Sequence, residues 1–280
     1  MNRKKLIAFS LSLAMTVVPV TPAAAGAEQN TEGLQNAVLD LEFENSLEDS
    51  SGKGNNGTLS SGEAEYVDGV VGKGLKMNGS SYVNLGNSTD LQPENLTLSF
   101  WIRPDSDMKG EELLSWNKNE WYTDGWYLSS ENDNTPLTLS VGPAKANGQP
   151  YRVSVSGKRS EFLPTGEWTH IAVTYDKDSK EICFYRNGVK CSTVTTYGIS
   201  GESTGVLGSD ATMEKSIGYN GPKYKGAYLK ASLDEYQLYN DVATPEEVIA
   251  LYEESGQTFD RKAVAQADLD KISIPETTQE

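Results

Sequence analysis

The sequence predicts an all-β sandwich or barrel with one short helix near its C-terminal end. Three observations carry this. Apolar and polar residues alternate over short runs, the period of a strand with one buried face. Clusters of Gly, Asn, Asp and Ser separate the runs, and these residues favour turns. One amphipathic helical pattern follows a start signal. Taken in order, Leu39, Leu41 and Phe43 alternate with Asp40 and Glu42. A turn cluster, Ser50 to Gly57, comes next. Leu96, Leu98, Phe100 and Ile102 then mark the buried face of a strand that Pro104 ends, because proline has no N–H for the ladder. Leu137–Val141 and Tyr151–Val155 alternate as well, and Ile171, Val173 and Tyr175 share one face of the run 169–175. Thr244, Pro245 and Glu247 supply an N-cap, a first-turn proline and a capping-box acid. Val248, Leu251 and Tyr252 make the helix's apolar stripe.

Composition removes several function classes. The 280 residues include 40 acidic and 24 basic side chains, a net charge of −16. Such a chain repels nucleic acid. The single histidine, His170, excludes a multi-histidine metal site and any HExxH motif. The basic run Arg3-Lys4-Lys5, the apolar stretch from Leu6 to Val20 and the small residues Ala23–Ala27 read as a secretory signal over 1–27. The expected product is secreted or held at the surface of a bacterial cell, with no membrane span once the signal is cleaved. Residues 28–36 read as a disordered N-terminus, 37–256 as the domain, and 257–280 as a linker or the start of a following module. The acid load also hints at calcium, a hard cation that takes carboxylate and carbonyl oxygens.

Cys183 and Cys191 flank the Asn187-Gly188 tip of an expected hairpin. A two-residue turn sets Arg186 opposite Val189 and puts the cysteines on different faces. A three-residue loop, Arg186–Gly188, sets Cys183 directly opposite Cys191. Two cysteines at this spacing in an exported chain favour the second register and a disulfide.

Gly166-Glu-Trp168-Thr-His170-Ile-Ala172-Val-Thr174-Tyr175, followed by Phe184-Tyr185-Arg186-Asn187-Gly188, resembles the signature of laminin-G-like jelly rolls of the concanavalin A-like lectin/glucanase fold. Met77 to Val83, Leu98 to Pro104, the opening Leu41 to Asn55 and the closing Leu233 to Tyr239 are similar to the same family in the same order. The resemblance covers 37–254. It implies a two-sheet antiparallel jelly-roll sandwich. It also implies a structural calcium tying the first turn to the last strand, with Asn45, Asp49, Asn55 and Asp234 at the matching positions. The ordinary alternative for these residues is turn chemistry, in which Asp and Asn bond nearby backbone. The segment Ala265–Pro275 resembles the linker to an Ig-like module in multi-module bacterial glycoside hydrolases, which implies a linked catalytic module as partner.

Glucanases of this fold carry Glu-x-Asp-x-Glu or Glu-x-Asp-x-x-Glu on one strand. Here Glu131-Asn-Asp133 is followed by Asn134, Thr135 and Pro136, so the second acid is missing. His170 falls on a strand and reads as a structural residue. The chain is therefore expected to bind and not to hydrolyse. Sugars stack their C–H faces on aromatic rings and bond polar side chains through their hydroxyls. Asn119, Trp121, Tyr122 and Asp124, on an expected loop, supply both kinds of group, and Tyr219 and Tyr224 on a second loop would complete a groove. Trp116 and Trp126 read as core. The function expected is a carbohydrate-binding module that holds a glycoside hydrolase or a cell near polysaccharide. The alternatives are a protein-binding adhesion module and a hydrolase with an atypical carboxylate pair.

Overall fold

The computed structural model describes residues 34–35, 37–105, 112–118, 125–142, 151–197, 214–219 and 228–263. The expected signal 1–27, most of 28–36 and residues 264–280 lie outside them. The strands are β1 (Ala37–Leu41), β2 (Thr58–Leu59), β3 (Glu65–Asp68), β4 (Lys73–Asn78), β5 (Val83–Asn84), β6 (Leu96–Pro104), β7 (Glu112–Lys118), β8 (Gly125–Ser130), β9 (Thr138–Val141), β10 (Tyr151–Val155), β11 (Thr169–Tyr175), β12 (Ile182–Arg186), β13 (Val189–Lys190), β14 (Thr193–Tyr197), β15 (Ser216–Ile217) and β16 (Lys230–Tyr239). Two helices, α1 (Arg159–Phe162) and α2 (Pro245–Glu254), and a 3-10 turn, Thr89–Leu91, complete the described elements.

These strands form two antiparallel sheets. The first runs β13-β12-β11-β6-β16-β4-β3, with β1 also paired to β16. The second runs β14-β10-β9-β8-β7-β15-β5-β2. Their inner faces meet in one core, because alternation hands each sheet an apolar side. Leu96, Leu98, Phe100 and Ile102 of β6, and Ile171, Val173 and Tyr175 of β11, point into it as expected. Leu139 and Val141 of β9, Val153 and Val155 of β10, and Trp126 and Leu128 of β8 face them from the second sheet. Trp126 is fully buried, and its Nε1 donates to Leu91 O at 3.1 Å. The outer face of the first sheet holds a second, smaller core. Ala172, Cys183 and Tyr185 pack there with Ala243 and Val248 of the α2 region. The helix begins as the sequence indicates: Thr244 and Glu247 form a reciprocal capping box, with a proline in the first turn.

The β12–β13 hairpin corrects the cysteine reading. Arg186 pairs with Val189 and Tyr185 with Lys190, so the turn has two residues. Asn187 and Gly188 both have positive φ, 49° and 79°. That conformation matches the twist of the flanking strands, and Asn-Gly adopts it at low cost. Asn187 secures it further, accepting from His170 N through Oδ1 and donating from its own N to His170 O, both at 2.9 Å. In this register Cys183 joins the outer cluster, whereas Cys191 packs toward the main core. The two are free thiols on opposite faces of the strand pair, not a disulfide. Burial pushes both thiol pKa values up, Cys191 to about 11, so neither is a ready nucleophile.

Packing continues past Gly256. Phe259 is buried against the hairpin tip and makes an edge contact with Tyr252, 6.3 Å between ring centroids. A Cβ on Gly188 would stand 2.8 Å from the Phe259 ring. Glycine is thus required at the tip by both backbone and packing.

Candidate carbohydrate-binding face

The outer face of the second sheet differs from an ordinary solvent face. Alternation that sends Trp126, Leu128, Leu139, Val141, Val153 and Val155 into the core sends Tyr127, Ser129, Thr138, Ser140, Arg152 and Ser154 the other way. Pairing lines these up in rows. Tyr127 lies opposite Ser140, and Ser140 opposite Arg152. One step along, Ser129 lies opposite Thr138, and Thr138 opposite Ser154. Ser129, Thr138, Ser140 and Ser154 are 0% exposed, so this polar layer is shielded from bulk water.

Its internal bonding leaves specific capacity. Thr138 Oγ1 and Ser154 Oγ share a hydrogen bond of 2.8 Å. Arg152 pairs with Glu131 and its guanidinium stands 5.8 Å from the Tyr127 ring centroid. Ser140 Oγ is buried without a hydrogen-bond partner. A buried hydroxyl left unpaired is costly. The face therefore combines hydroxyls, a planar guanidinium, a carboxylate and an aromatic ring. Hydroxyl-rich ligands are recognised by such a mixture, since each hydroxyl both donates and accepts. Glu131 brings a carboxylate to this face through its pair with Arg152. Sequence reading registered the alternation in these strands but not that the polar partners fall side by side. That Tyr127, Ser140 and Arg152 share one row was legible only once the strands were paired.

The sequence-predicted ligand residues fall in different places. Asn119, Trp121, Tyr122, Asp124 and Tyr224 lie outside the described residues. The first four belong to the β7–β8 connection, which leaves from the Lys118–Gly125 end of the sheet. Tyr219 is described and buried. It stacks on Tyr228 at 4.2 Å and 6°, and on Tyr82 at 5.3 Å and 24°. Ser216 pairs with Trp116 in antiparallel sense, so Tyr219 lies toward the Glu112 end of β7. That is the end opposite the 119–124 connection. Tyr82 and Tyr228 were not singled out in the sequence, since each stands apart from the aromatic run.

Of the four expected calcium ligands, Asp49 and Asp234 both accept from backbone N–H groups, at different junctions. Asp49 Oδ1 accepts from Asp40 N and Ser51 N, and Oδ2 from Ser51 Oγ and Asn55 N, all at 2.9–3.0 Å. A carboxylate has about four lone-pair sites, and all are occupied by the turn. Asn55 Nδ2 donates to Val38 O at 2.7 Å. Asn45 takes the left-handed conformation, φ 56°. Asp234 serves a different junction: Oδ2 accepts from Val70 N and Val71 N, and Oδ1 from Glu235 N. Burial raises its pKa to about 6 against those bonds. Among the described residues no three His, Cys, Asp or Glu side chains group to hold a metal.

His170 is structural, in keeping with its reading from the sequence. Its Nε2 bonds Ser99 Oγ at 2.9 Å, and its ring packs against Trp101 and Tyr252 beneath α2. Desolvation lowers its pKa to about 3, so the ring is neutral near pH 7.

Comparison with known proteins agrees with this architecture. Domain 4 of AbnA, a GH43 extracellular arabinanase from Geobacillus stearothermophilus solved with arabinotriose, is similar at 22% identity and a TM-score of 0.55. The match covers 78% of this chain and all of that domain. The binding domain of Paraclostridial Mosquitocidal Protein 1 is 22% identical, with a TM-score of 0.56 over 78% of this chain. Botulinum neurotoxin type C, whose cell entry depends on two ganglioside molecules, is 16% identical with a TM-score of 0.59 over 80% of this chain. The match spans about half of each of these two toxin chains, 52%. No curated protein matches. The family model for the concanavalin A-like lectin/glucanases superfamily matches residues 77–249, and the chain belongs to that family.

Proposed function

We propose that the chain is a secreted carbohydrate-binding module, non-catalytic by itself, that holds a glycoside hydrolase or a cell at a polysaccharide. The observation that carries this reading is the buried polar layer across β8, β9 and β10. Arg152 and Glu131 form its partly exposed edge and offer charged hydrogen bonds, Tyr127 packs beneath the Arg152 guanidinium, and Ser140 Oγ lacks a partner. Sugar hydroxyls would complete these bonds, and water exclusion would strengthen them. The arabinotriose complex of the arabinanase domain supports the ligand class. Asn119, Trp121, Tyr122 and Asp124, outside the described residues, remain candidates for the same ligand on their residue types alone. A protein-binding role is less well supported. Among the described residues only Val189 is a large exposed apolar side chain, so no apolar docking patch is present there.

Calorimetry against soluble arabinan, xylan, galactan and mucin glycans tests the proposal. Saturable binding to one class is expected, with Arg152→Ala about tenfold weaker, on the order of 1.4 kcal/mol. Silence across the panel would overturn it and favour adhesion to protein.

A further inference from the structure

A cavity lies away from the polar face of the second sheet. It encloses about 290 Å³ where β1, the 51–55 turn, the Thr89–Leu91 turn and the corner after β16 meet. We propose that this cleft is a second binding site, sized and lined for one neutral sugar residue at the end of a glycan. It shares its ligand class with the proposed function but none of its residues.

The lining explains the ligand class. Gln92 and Asn240 bring amides, Thr89 a hydroxyl, Asp90 a carboxylate and Lys53 an ammonium. Val38 and Pro93 supply apolar surface between them. A sugar ring asks for this combination. Its hydroxyls need donors and acceptors together, a carboxylate can accept from two neighbouring hydroxyls, and its C–H face lies against apolar carbon. Neither the Lys53 ammonium nor the Asp90 carboxylate has a hydrogen-bond or ion-pair partner among the described residues. Both are exposed and available to a ligand. The volume falls at the lower edge of small-molecule pockets, about 300 Å³ and upward, which suits one ring and not a chain threading through.

The walls are held from behind, so little ordering would be needed on binding. Trp126 Nε1 pins the Thr89–Leu91 turn through Leu91 O. The Asp49 carboxylate and Asn55 pin the 51–55 turn to β1. Thr97 Oγ1 donates to Asp241 O at 2.7 Å and accepts from Ala243 N at 2.8 Å, fixing the far corner. Without an aromatic ring in the lining, binding should be weak, in the millimolar range.

The test is an amide nuclear magnetic resonance titration of the full chain. The probes are L-arabinose, D-xylose, D-galactose and N-acetyl-D-glucosamine. At least one is expected to give saturable shifts at the amides of Lys53, Thr89, Asp90 and Asn240. Lys53→Ala and Asp90→Ala, both on exposed side chains, should weaken that response at least tenfold and keep native dispersion. Arg152→Ala should leave it intact. No saturable shift at these amides with any of the four sugars would overturn the site, as would shifts unchanged in both cleft variants. Polysaccharide calorimetry reads the sheet face separately, so either proposal can fail while the other stands.

Discussion

The outer faces of the two sheets are both buried, and they are built on opposite principles. On the first sheet Trp101, His170, Ala172, Cys183 and Tyr185 lie beneath or beside α2, and rings pack on rings. Polar atoms there serve the fold: Ser99 holds His170, and Asn187 brackets its backbone. On the second sheet the corresponding layer is hydroxyls, a guanidinium and a carboxylate, with a hydrogen-bonding group still unmatched. Each layer also keeps a buried polar atom without a partner, His170 Nδ1 on the first face and Ser140 Oγ on the second. The contrast teaches that two buried faces of one sandwich can be packed by different chemistry, rings on one and hydrogen-bonding groups on the other.

Breaking the first face should cost the most. Trp101 is 4% exposed and stacks on Tyr252 at 5.5 Å. Trp101→Ala is expected to destabilise by about 3–5 kcal/mol, measured by urea unfolding, while the folded fraction keeps its glycan affinity. Loss of affinity with unchanged stability would erase the distinction between the faces.

Acid probes the same face through His170. Its folded pKa, about 3, lies below the ordinary histidine value near 6.5. The unfolded chain therefore binds the extra proton across that window. Stability from this group is full above pH 6.5 and is lost as pH falls toward 3, at about 1.4 kcal/mol per pH unit. Asp234 acts in the opposite sense. Its folded pKa, raised to about 6, favours the folded state at low pH, and that contribution fades as pH rises from about 4 to 6. The two slopes should largely cancel between those values. Asp234→Asn should expose the histidine slope in pH-dependent urea unfolding, and a flat profile in that variant would contradict the burial of His170.

On the second face, Ser140→Ala should leave the melting temperature within about 2 °C, since no bond within the protein is lost. It should weaken glycan binding about threefold by calorimetry, close to one hydrogen bond's net worth of roughly 0.6 kcal/mol. Unchanged affinity would move the ligand off the Tyr127–Ser140–Arg152 row. The smallest expected effect is that of a chelator. With Asp49 and Asp234 satisfied by backbone N–H groups, EDTA should leave the melting temperature unchanged; a drop of several degrees would restore calcium to the fold. Thiol titration in denaturant without reductant should likewise find two reactive cysteines.

Much of the fold was legible because it rests on local pattern. The faces of β6 and β11 follow from alternation, and the start of α2 from its capping box. The hairpin register was not, because both registers satisfy the same strand pattern. Asn187 and Gly188 decided it through left-handed geometry and through contacts with His170 and Phe259, residues distant in sequence. The acidic turn positions were visible, but whether Asp49 holds a cation or four hydrogen-bond donors depends on what folds back onto it. The polar layer of the second sheet was half legible. Each strand announced an outer face, but only pairing brought Tyr127, Ser140 and Arg152 into one row.

The position of β16 has a consequence for the order of events in the cell. This strand lies between β6 on one side and β4 and β1 on the other, yet it is the last strand of the described chain. Until residues 230–239 have emerged from the ribosome, the first sheet exists only as two unjoined parts, and β1 has no neighbour. Its contacts with β1 span nearly 200 positions of sequence, a separation that slows folding. A nascent chain of this design cannot close its first sheet before that strand has been made.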